Sequence, residues 1–362
     1  MAPEPTAVAR ALLAHYGHTK RDMPWRQTRD PYAIWISEIM LQQTRVATVI
    51  AYYERWLQRF PTLTALAQAP VDDVLSAWAG LGYYSRARNL HKGAREVVER
   101  YGGQLPSTAE QLRTLPGIGR YTAGAISSIA FNQQEPVVDG NVLRVLSRVY
   151  EIDTPIKSSA TQREIWELAR QLVPAEAPGD FNQALMELGA TLCTPSSPSC
   201  LLCPLGGGAA GLCGAAAAGR QQELPVTSKR TPVDQLPVID ATAVWIQRRK
   251  AVLLVRRHPN GLYGGMWELP WANSAEQLSA TVGLPVTVRG ERPAARHEQQ
   301  LSHRRFRIEV WPALLGKGRV HPDSARYDLY RWQPLEHLTQ IALSTAMRSI
   351  VKKYQSSTTR SQ

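Results

Sequence analysis

Two carboxyl groups stand out in this chain because their surroundings differ so much. Glu38 lies inside the apolar run of "WISEIMLQQTR", where burial disfavours the charged form and raises the pKa of a carboxyl. Asp139 lies in "VVDGNVLRVLSR", just before a predicted helix whose N-terminus favours an ionised carboxylate. Two carboxyls with separated pKa values are typical of glycosidic bond cleavage. The alternatives are a buried structural carboxyl at Glu38 and a plain helix cap at Asp139.

All four cysteines form one group, with the spacing C-x6-C-x2-C-x9-C. Disulfide-stapled proteins spread their cysteines along the chain, whereas one tight group in a cytosolic chain indicates a metal or cluster site. Four thiolates suit either an iron–sulfur cluster or a zinc ion, and the spacing alone does not decide between them. The ligand set in both cases is Cys193, Cys200, Cys203 and Cys213.

A turn between two predicted helices, "LPGIGRYTAGA", is a candidate anion site. Gly117 and Gly119 allow a tight turn with bare backbone amides, and the next helix adds the positive end of its dipole. No P-loop lysine or preceding strand is present, so the pattern favours DNA phosphate over a nucleotide. The alternative is an ordinary corner between two helices.

The elements that position these groups are predicted to be helices over the N-terminal half. Asp30-Pro31 is typical of a helix start. Apolar periodicity predicts further helices near residues 85–101, 108–114, 120–131, 140–150, 159–172 and 180–191. Beyond about residue 229 the alternation typical of strands begins, as in "RRFRIEVWPAL", and a last helix is predicted from Ser344 to about Tyr354.

These patterns predict two domains. Residues 1–222 form a mainly α domain that includes the cysteine region 193–213, and residues 237–356 form an α+β domain. Small and polar residues predict a linker over 223–236, and 357–362 are predicted to be a disordered tail.

The net charge of +12 is distributed unevenly. Residues 1–228 carry 21 basic and 20 acidic side chains (21 − 20 = +1), and residues 229–362 carry 21 and 10 (21 − 10 = +11). A basic C-terminal half indicates a polyanion such as nucleic acid, or a solvated surface that aids solubility. With no signal-peptide pattern and no apolar run long enough for a bilayer, we expect a cytoplasmic, nucleoid-associated protein without a membrane partner.

Taken together, "RDMPWR", "WISEIMLQQTR", "GLGYYSRARNLH", "LPGIGRYTAGA" and "VVDGNVLRVLSR" resemble the MutY-type adenine DNA glycosylases of the helix–hairpin–helix (HhH-GPD) superfamily. The resemblance extends over nearly the whole chain, because "GLYGGMWELP" is similar to that family's Nudix-like C-terminal domain. It implies a monomeric base-excision enzyme that flips a mispaired adenine out of DNA and hydrolyses its N-glycosidic bond. The implied partner is double-stranded DNA with adenine opposite 8-oxoguanine or guanine, and the implied cofactor is a [4Fe–4S] cluster.

The resemblance also implies catalytic roles. Glu38 matches the general acid that protonates adenine at N7, and Asp139 matches the carboxylate that stabilises or covalently traps the sugar cation. Asn141 and Tyr121 match residues that support these two. Endonuclease III-like relatives carry at the position of Tyr121 a lysine whose amine attacks the sugar, so tyrosine here implies base removal without an efficient lyase step.

A further set of residues is implied to contact DNA. Tyr83 resembles the family's aromatic wedge, with Leu81 beside it, although core packing is the alternative for an aromatic residue. The segment "LSHRRFR" matches the loop that detects 8-oxoguanine through Ser302 and His303, or else is a basic surface turn. The remaining contacts are the hairpin glycines Gly117 and Gly119, the opposite-base residues Gln43 and Thr44, and the adenine-pocket residues Arg21, Trp25, Arg26 and Gln183.

The chain departs from the family pattern in its cysteine region. The last cysteine gap is nine residues, where the family usually has five; a flexible loop of this extra length costs only about 0.5 kcal/mol, so Cys213 remains a predicted ligand. The loop "CTPSSPSC" lacks the basic residues that relatives often place there.

The leading hypothesis is a monofunctional glycosylase that removes adenine opposite 8-oxoguanine. The rivals of the same fold are a thymine-mismatch glycosylase and a bifunctional endonuclease III-like glycosylase/lyase. From other classes, the rivals are a non-catalytic DNA-binding module and a nucleotide hydrolase. The segment "NSAEQLSATVG" lacks the glutamates with which a Nudix hydrolase holds divalent metal, which counts against the last of these.

Overall fold

The computed structural model describes residues 3–206, 211–227, 232–259, 261–301 and 303–359. They divide into two compact units. The first unit contains residues 3–68 and 92–227, and the second contains residues 69–91 and 232–359. Within these ranges, no helix combines the length and the apolar character that crossing a membrane requires.

The first unit consists of helices, as the sequence predicts. In chain order the helices up to the linker region are α1 (Pro5–Thr19), α2 (Pro31–Leu41), α3 (Val46–Arg59), α4 (Leu63–Gln68), α5 (Val71–Trp78), α6 (Ser85–Tyr101), α7 (Ala109–Leu112), α8 (Arg120–Phe131), α9 (Gly140–Val149), α10 (Ser159–Leu172), α11 (Pro178–Thr191) and α12 (Gly214–Ala217). Of these, α5 and the start of α6 belong to the second unit.

Helix α2 begins where the Asp30-Pro31 pair predicts. The Asp30 side chain accepts a hydrogen bond from the Tyr32 N–H at 3.0 Å, and Pro31 occupies the first helical position. Every residue from 32 to 40 is buried, so α2 lies inside the unit and not on its surface. The side chain at position 38 is therefore almost entirely shielded from bulk solvent.

Helices α9 and α11 approach closely because of a glycine. A Cβ atom added at Gly189 in α11 would lie 2.6 Å from the Cβ of Asn141 in α9, which is too close for any larger residue. The two helices share an apolar core with α1 and α10. This packing brings the first turn of α9, with Asp139 at its N-cap, against α11.

The second unit is a mixed α+β structure, as predicted. Its strands are β1 (Val238–Arg248), β2 (Ala251–Arg257), β3 (Trp267–Glu268), β4 (Trp271–Ala272), β5 (Val286–Val288), β6 (Ala295–Gln300), β7 (Arg305–Leu315) and β8 (Tyr327–Pro334). Strands β1 and β7 pair in parallel from Val238↔Arg305 to Ile246↔Ala313, and the other pairs are antiparallel. Its helices include α13 (Leu278–Val282) and α14 (Thr345–Thr359), and Tyr354 of α14 stacks on Trp245 of β1.

Two boundaries differ from the sequence prediction. Residues 69–91, predicted within the first domain, group with the second unit, where the Ser76 hydroxyl donates to the Gln340 carbonyl and Arg88 donates to the Gly264 carbonyl. Such contacts join residues far apart in sequence, so local composition does not reveal them. Helix α14 continues through residues 357–359, which were predicted to belong to the tail, because helix ends are poorly marked by composition. Residues 228–231 of the predicted linker lie outside the described ranges.

Candidate active site

One cavity of about 540 Å³ lies within the first unit. Its walls come from α2, α8, α9, α11 and the turns that follow α1 and α2. Ten residues singled out from the sequence line it: Arg21, Trp25, Arg26, Glu38, Gln43, Thr44, Tyr121, Asp139, Asn141 and Gln183. Glu38 and Asp139, which are about a hundred positions apart in sequence, therefore face the same space.

Glu38 has the environment of a proton donor. Its side chain is 5% exposed, and its Oε2 accepts a hydrogen bond from the Tyr121 hydroxyl at 2.7 Å. Burial, together with the nearby Asp139 carboxyl, raises the pKa of Glu38 to about 7, although the Tyr121 hydrogen bond and the Arg26 charge oppose the rise. The direction agrees with the sequence prediction, and near neutral pH a substantial fraction of Glu38 carries a proton.

Asp139 is both a helix cap and a member of the cavity wall. Its Oδ1 accepts from the Val142 N–H at 2.7 Å and its Oδ2 accepts from Asn141 Nδ2 at 3.0 Å. Burial raises the pKa of Asp139 above its usual value, and these hydrogen bonds reduce the rise without cancelling it. The expectation of an ionised carboxylate, which follows from the helix N-terminus alone, is wrong about this direction, since burial depends on the tertiary packing.

Tyr121 lies deep in the cavity between two hydrogen-bond partners. Its hydroxyl is 2.7 Å from Glu38 Oε2 and 3.3 Å from Met186 Sδ. Burial and the neighbouring carboxyls raise the pKa of Tyr121 well above its usual value, so it remains a neutral phenol. Met186 was not predicted from the sequence, since a methionine in an amphipathic helix has no distinguishing pattern.

A second buried carboxyl, Glu187, was missed. Its Oε1 accepts from Arg21 Nε at 2.7 Å, and its Oε2 accepts from Arg21 Nη2 and Arg26 Nη2, each at 2.8 Å. Burial alone would raise the pKa of Glu187, but the hydrogen bonds and charges of the two arginines lower it to about 2. The signal that marked Glu38, a carboxyl within the apolar run of a helix, also marks Glu187 in "ALMELGA".

Asn141 is held in place by Arg144, which no sequence motif marks. Arg144 Nη2 donates to Asn141 Oδ1 at 2.9 Å and to the Gly189 carbonyl at 2.7 Å. Arg144 Nε donates to the Cys193 carbonyl at 2.8 Å. A continuous chain of hydrogen bonds thus links Asp139 through Asn141 to the backbone of the first cysteine.

The four cysteines lie close enough to influence one another. Burial is the main cause that raises the pKa of Cys200, and a neighbouring thiol adds to the rise. The pKa values of Cys203 and Cys213 are raised for the same reasons, that of Cys213 to about 11. The fully buried Arg148 donates to Cys193 Sγ at 3.2 Å and to the Thr194 carbonyl at 2.8 Å. Among the described residues, no three metal-ligating side chains are grouped so that they could hold a single metal ion.

The remaining predicted residues lie elsewhere. Gly117 has a left-handed backbone (φ +79°), and Gly119 precedes α8 with open space where a side chain would be, as an anion-binding turn requires. In the second unit, a cavity of about 390 Å³ is lined by Leu81, Tyr83 and His303. Ser302 lies outside the described residues.

Comparisons with known proteins bear on both units. Residues 36–171 match the HhH-GPD superfamily of base excision DNA repair proteins, and residues 241–353 match the NUDIX domain. The chain is 40% identical to the adenine DNA glycosylase of Homo sapiens and 39% identical to that of Mus musculus; each alignment covers 97% of this chain, with 74% and 78% of those proteins. A solved thermostable thymine-DNA glycosylase is 32% identical, with a TM-score of 0.53, and the match covers 59% of this chain and 97% of that one.

Proposed function

The chain belongs to the adenine DNA glycosylases, base-excision repair enzymes of the HhH-GPD superfamily, and we propose that its substrate is adenine paired with 8-oxoguanine or guanine in duplex DNA. The observation that carries the mechanism is the presence of Glu38 and Asp139, in different environments, on the walls of one cavity. A flipped nucleoside placed there would meet an acid on one side and a carboxylate on the other.

The proposed chemical step begins with a proton. Protonated Glu38 donates it to N7 of adenine, and the C1′–N9 bond then breaks with its electron pair leaving on the base. The sugar is left as an oxocarbenium cation, which the Asp139 carboxylate stabilises until water adds to C1′. The proton that the water loses returns the Glu38 carboxylate to its acid form, which closes the cycle. Tyr121 offers a neutral hydroxyl and no amine, which supports base removal without a Schiff-base lyase step.

The cysteine group supports a [4Fe–4S] cluster held by Cys193, Cys200, Cys203 and Cys213. The donor chemistry fits, because four thiols share one region and Arg148 donates a charge-assisted hydrogen bond to a sulfur that would carry negative charge as a ligand. Since no three ligating side chains of the described residues are grouped around one point, binding of the cluster would draw the four sulfurs together. Such a cluster would cross-link Cys193, which stands two residues after the end of α11, to Cys200, Cys203 and Cys213. Iron and sulfide analysis of the purified protein would decide the proposal, and zinc in place of iron would contradict it.

The opposite base is proposed to be read by the second unit. Leu81, Tyr83 and His303 line one cavity there, and they come from two segments that are far apart in sequence. Gln43 of the first unit, which the family resemblance assigns to the opposite base, is exposed. It has a left-handed backbone (φ +58°), a conformation that is uncommon outside glycine and is found at functional turns.

Release of free adenine from short duplexes tests the substrate assignment. We expect the fastest release from adenine paired with 8-oxoguanine, slower release with guanine, and no base release from a T·G duplex. The T·G duplex is the matched comparison, because one solved relative is a thymine-DNA glycosylase. Faster release of thymine than of adenine would contradict the proposal.

The pH dependence tests the assignment of Glu38. We expect kcat/KM for adenine release to fall about tenfold per pH unit above pH 7, because only protonated Glu38 is a donor and its pKa is raised to about 7. The Tyr121 hydrogen bond lowers that pKa, so Tyr121→Phe is expected to move this limb of the profile to higher pH. A profile that is flat from neutral to alkaline pH, or a shift to lower pH in the variant, would count against Glu38.

A further inference from the structure

The turn that carries Tyr83 has an unusual backbone. Gly80, Gly82 and Tyr83 all have positive φ angles, of 114°, 71° and 45°. Glycine adopts such angles readily, but for a tyrosine the left-handed region is a strained conformation that the surroundings must maintain. The Tyr83 side chain is nevertheless 54% exposed, so packing around its own ring is not what holds it.

Two side chains hold the turn by donating hydrogen bonds to its backbone carbonyls. Arg86 Nη2 donates to the Leu81 carbonyl at 3.1 Å and to the Gly82 carbonyl at 3.3 Å. Trp78, which is fully buried, donates its indole N–H to the same Gly82 carbonyl at 3.0 Å. The Arg86 guanidinium also lies over the ring of Trp78, at 5.1 Å from its centroid, and over that of Tyr83, at 5.7 Å.

The position of Arg86 is costly in two ways. Burial lowers the pKa of Arg86 to about 10, which means that its surroundings disfavour the charged form. Arg86 is also the second residue of α6, where the positive end of the helix dipole repels a cation. A cation at a position where both burial and the helix dipole disfavour its charge is typical of a residue with a function.

We infer that Arg86, assisted by Trp78, fixes the turn over residues 80–83 so that Tyr83 is already oriented to fill the gap left by a flipped base. Arg86 is then a positioning residue for base flipping, acting through Tyr83. This inference rests on the proposed role of Tyr83 as the wedge. Its physical basis is pre-organisation: a rigid turn spares the protein the ordering of an exposed aromatic side chain during flipping.

The test measures flipping apart from bond cleavage. The fluorescent base 2-aminopurine replaces adenine in the duplex, and all proteins carry Glu38→Gln so that the base stays attached. We expect Arg86→Met to reduce the flipped fraction about tenfold, the effect of losing charge-assisted hydrogen bonds to two carbonyls. Tyr83→Ala is expected to reduce it at least as much, and the double variant no more than Tyr83→Ala alone.

Non-additivity is the decisive readout, because a general loss of structure would add to the effect of Tyr83→Ala. Arg95→Met, at an exposed arginine of the same helix, removes the same charge and is expected to leave flipping unchanged. If Arg86→Met does not fold, Arg86→Lys and Trp78→Phe replace it, and each is expected to reduce the flipped fraction by about threefold through loss of part of the hydrogen bonding.

Three outcomes would overturn the inference. An unchanged flipped fraction in the Arg86 and Trp78 variants would show that the turn needs neither side chain. Additive effects of Arg86→Met and Tyr83→Ala would show that Arg86 does not act through Tyr83. If Tyr83→Ala leaves the flipped fraction unchanged, Tyr83 is not the wedge. That result contradicts the proposed function and is distinguishable from the first two outcomes, which concern only Arg86 and Trp78.

Discussion

Replacing Glu38 by glutamine is expected to slow single-turnover release of adenine by about a thousandfold, within the range that a general acid contributes. Glutamine keeps the shape of the side chain and an oxygen that can accept from the Tyr121 hydroxyl, which lies 2.7 Å away in the native protein. It has no acidic proton to donate and it cannot ionise. We therefore expect the affinity for a duplex with an A·8-oxoguanine pair to change by less than about threefold, since binding does not require that proton.

The stability of this variant provides an internal control. Burial raises the folded-state pKa of Glu38 from its usual 4.5 to about 7, so its contribution to stability falls as the pH rises between these two values, and the full penalty is present at pH 8. Glutamine carries no charge, and the variant is expected to melt at the same temperature as the native protein or higher at pH 8. Glu164→Gln, at an exposed carboxylate on α10, is the matched control and is expected to release adenine at the native rate.

The measurement is the single-turnover time course of free adenine, with enzyme in excess over duplex. A Glu38→Gln protein that melts normally, binds the duplex and still releases adenine within tenfold of the native rate would remove Glu38 from the mechanism. A protein that loses duplex binding as well would point to a recognition role for Glu38 and not to proton donation.

The two catalytic carboxyls show which parts of a site a sequence reveals. The apolar run around Glu38 predicts burial, and the structure places that residue inside the unit with a raised pKa. The pKa of Asp139 follows from how α9 packs against α11, a contact made possible by Gly189, and no local pattern contains that information. Fold class is similarly predictable, because the periodicity of helices and strands is local.

The features that the sequence did not reveal also depend on contacts between distant parts of the chain. Glu187 has the same local signal as Glu38, but its two arginine partners lie more than 160 positions away, so its depressed pKa appears only in three dimensions. Residues 69–91 look like one more part of a helical domain and yet group with the second unit. Sequence patterns predict elements and single candidates; the assembly of candidates into one cavity requires the tertiary structure.

Replacing Asp139 by asparagine is expected to reduce adenine release by about a hundredfold to a thousandfold, the effect of removing one electrostatic partner of a charged transition state. Asparagine is as good a helix N-cap as aspartate and its oxygen can still accept from the Val142 N–H, so α9 is expected to begin where it does now. One contact is lost, however, because the new amide would face the Nδ2 donor of Asn141.

A charge-conserving exchange separates this lost contact from the lost charge. In the double variant Asp139→Asn/Asn141→Asp, the amide at 139 donates to the carboxylate at 141, which also accepts from Arg144 Nη2. The melting temperature is therefore expected to return toward the native value. The carboxylate has moved to position 141, so adenine release is expected to stay about a hundredfold or more below native. If the double variant instead released adenine within tenfold of the native rate, a carboxylate at position 139 would not be what stabilises the sugar.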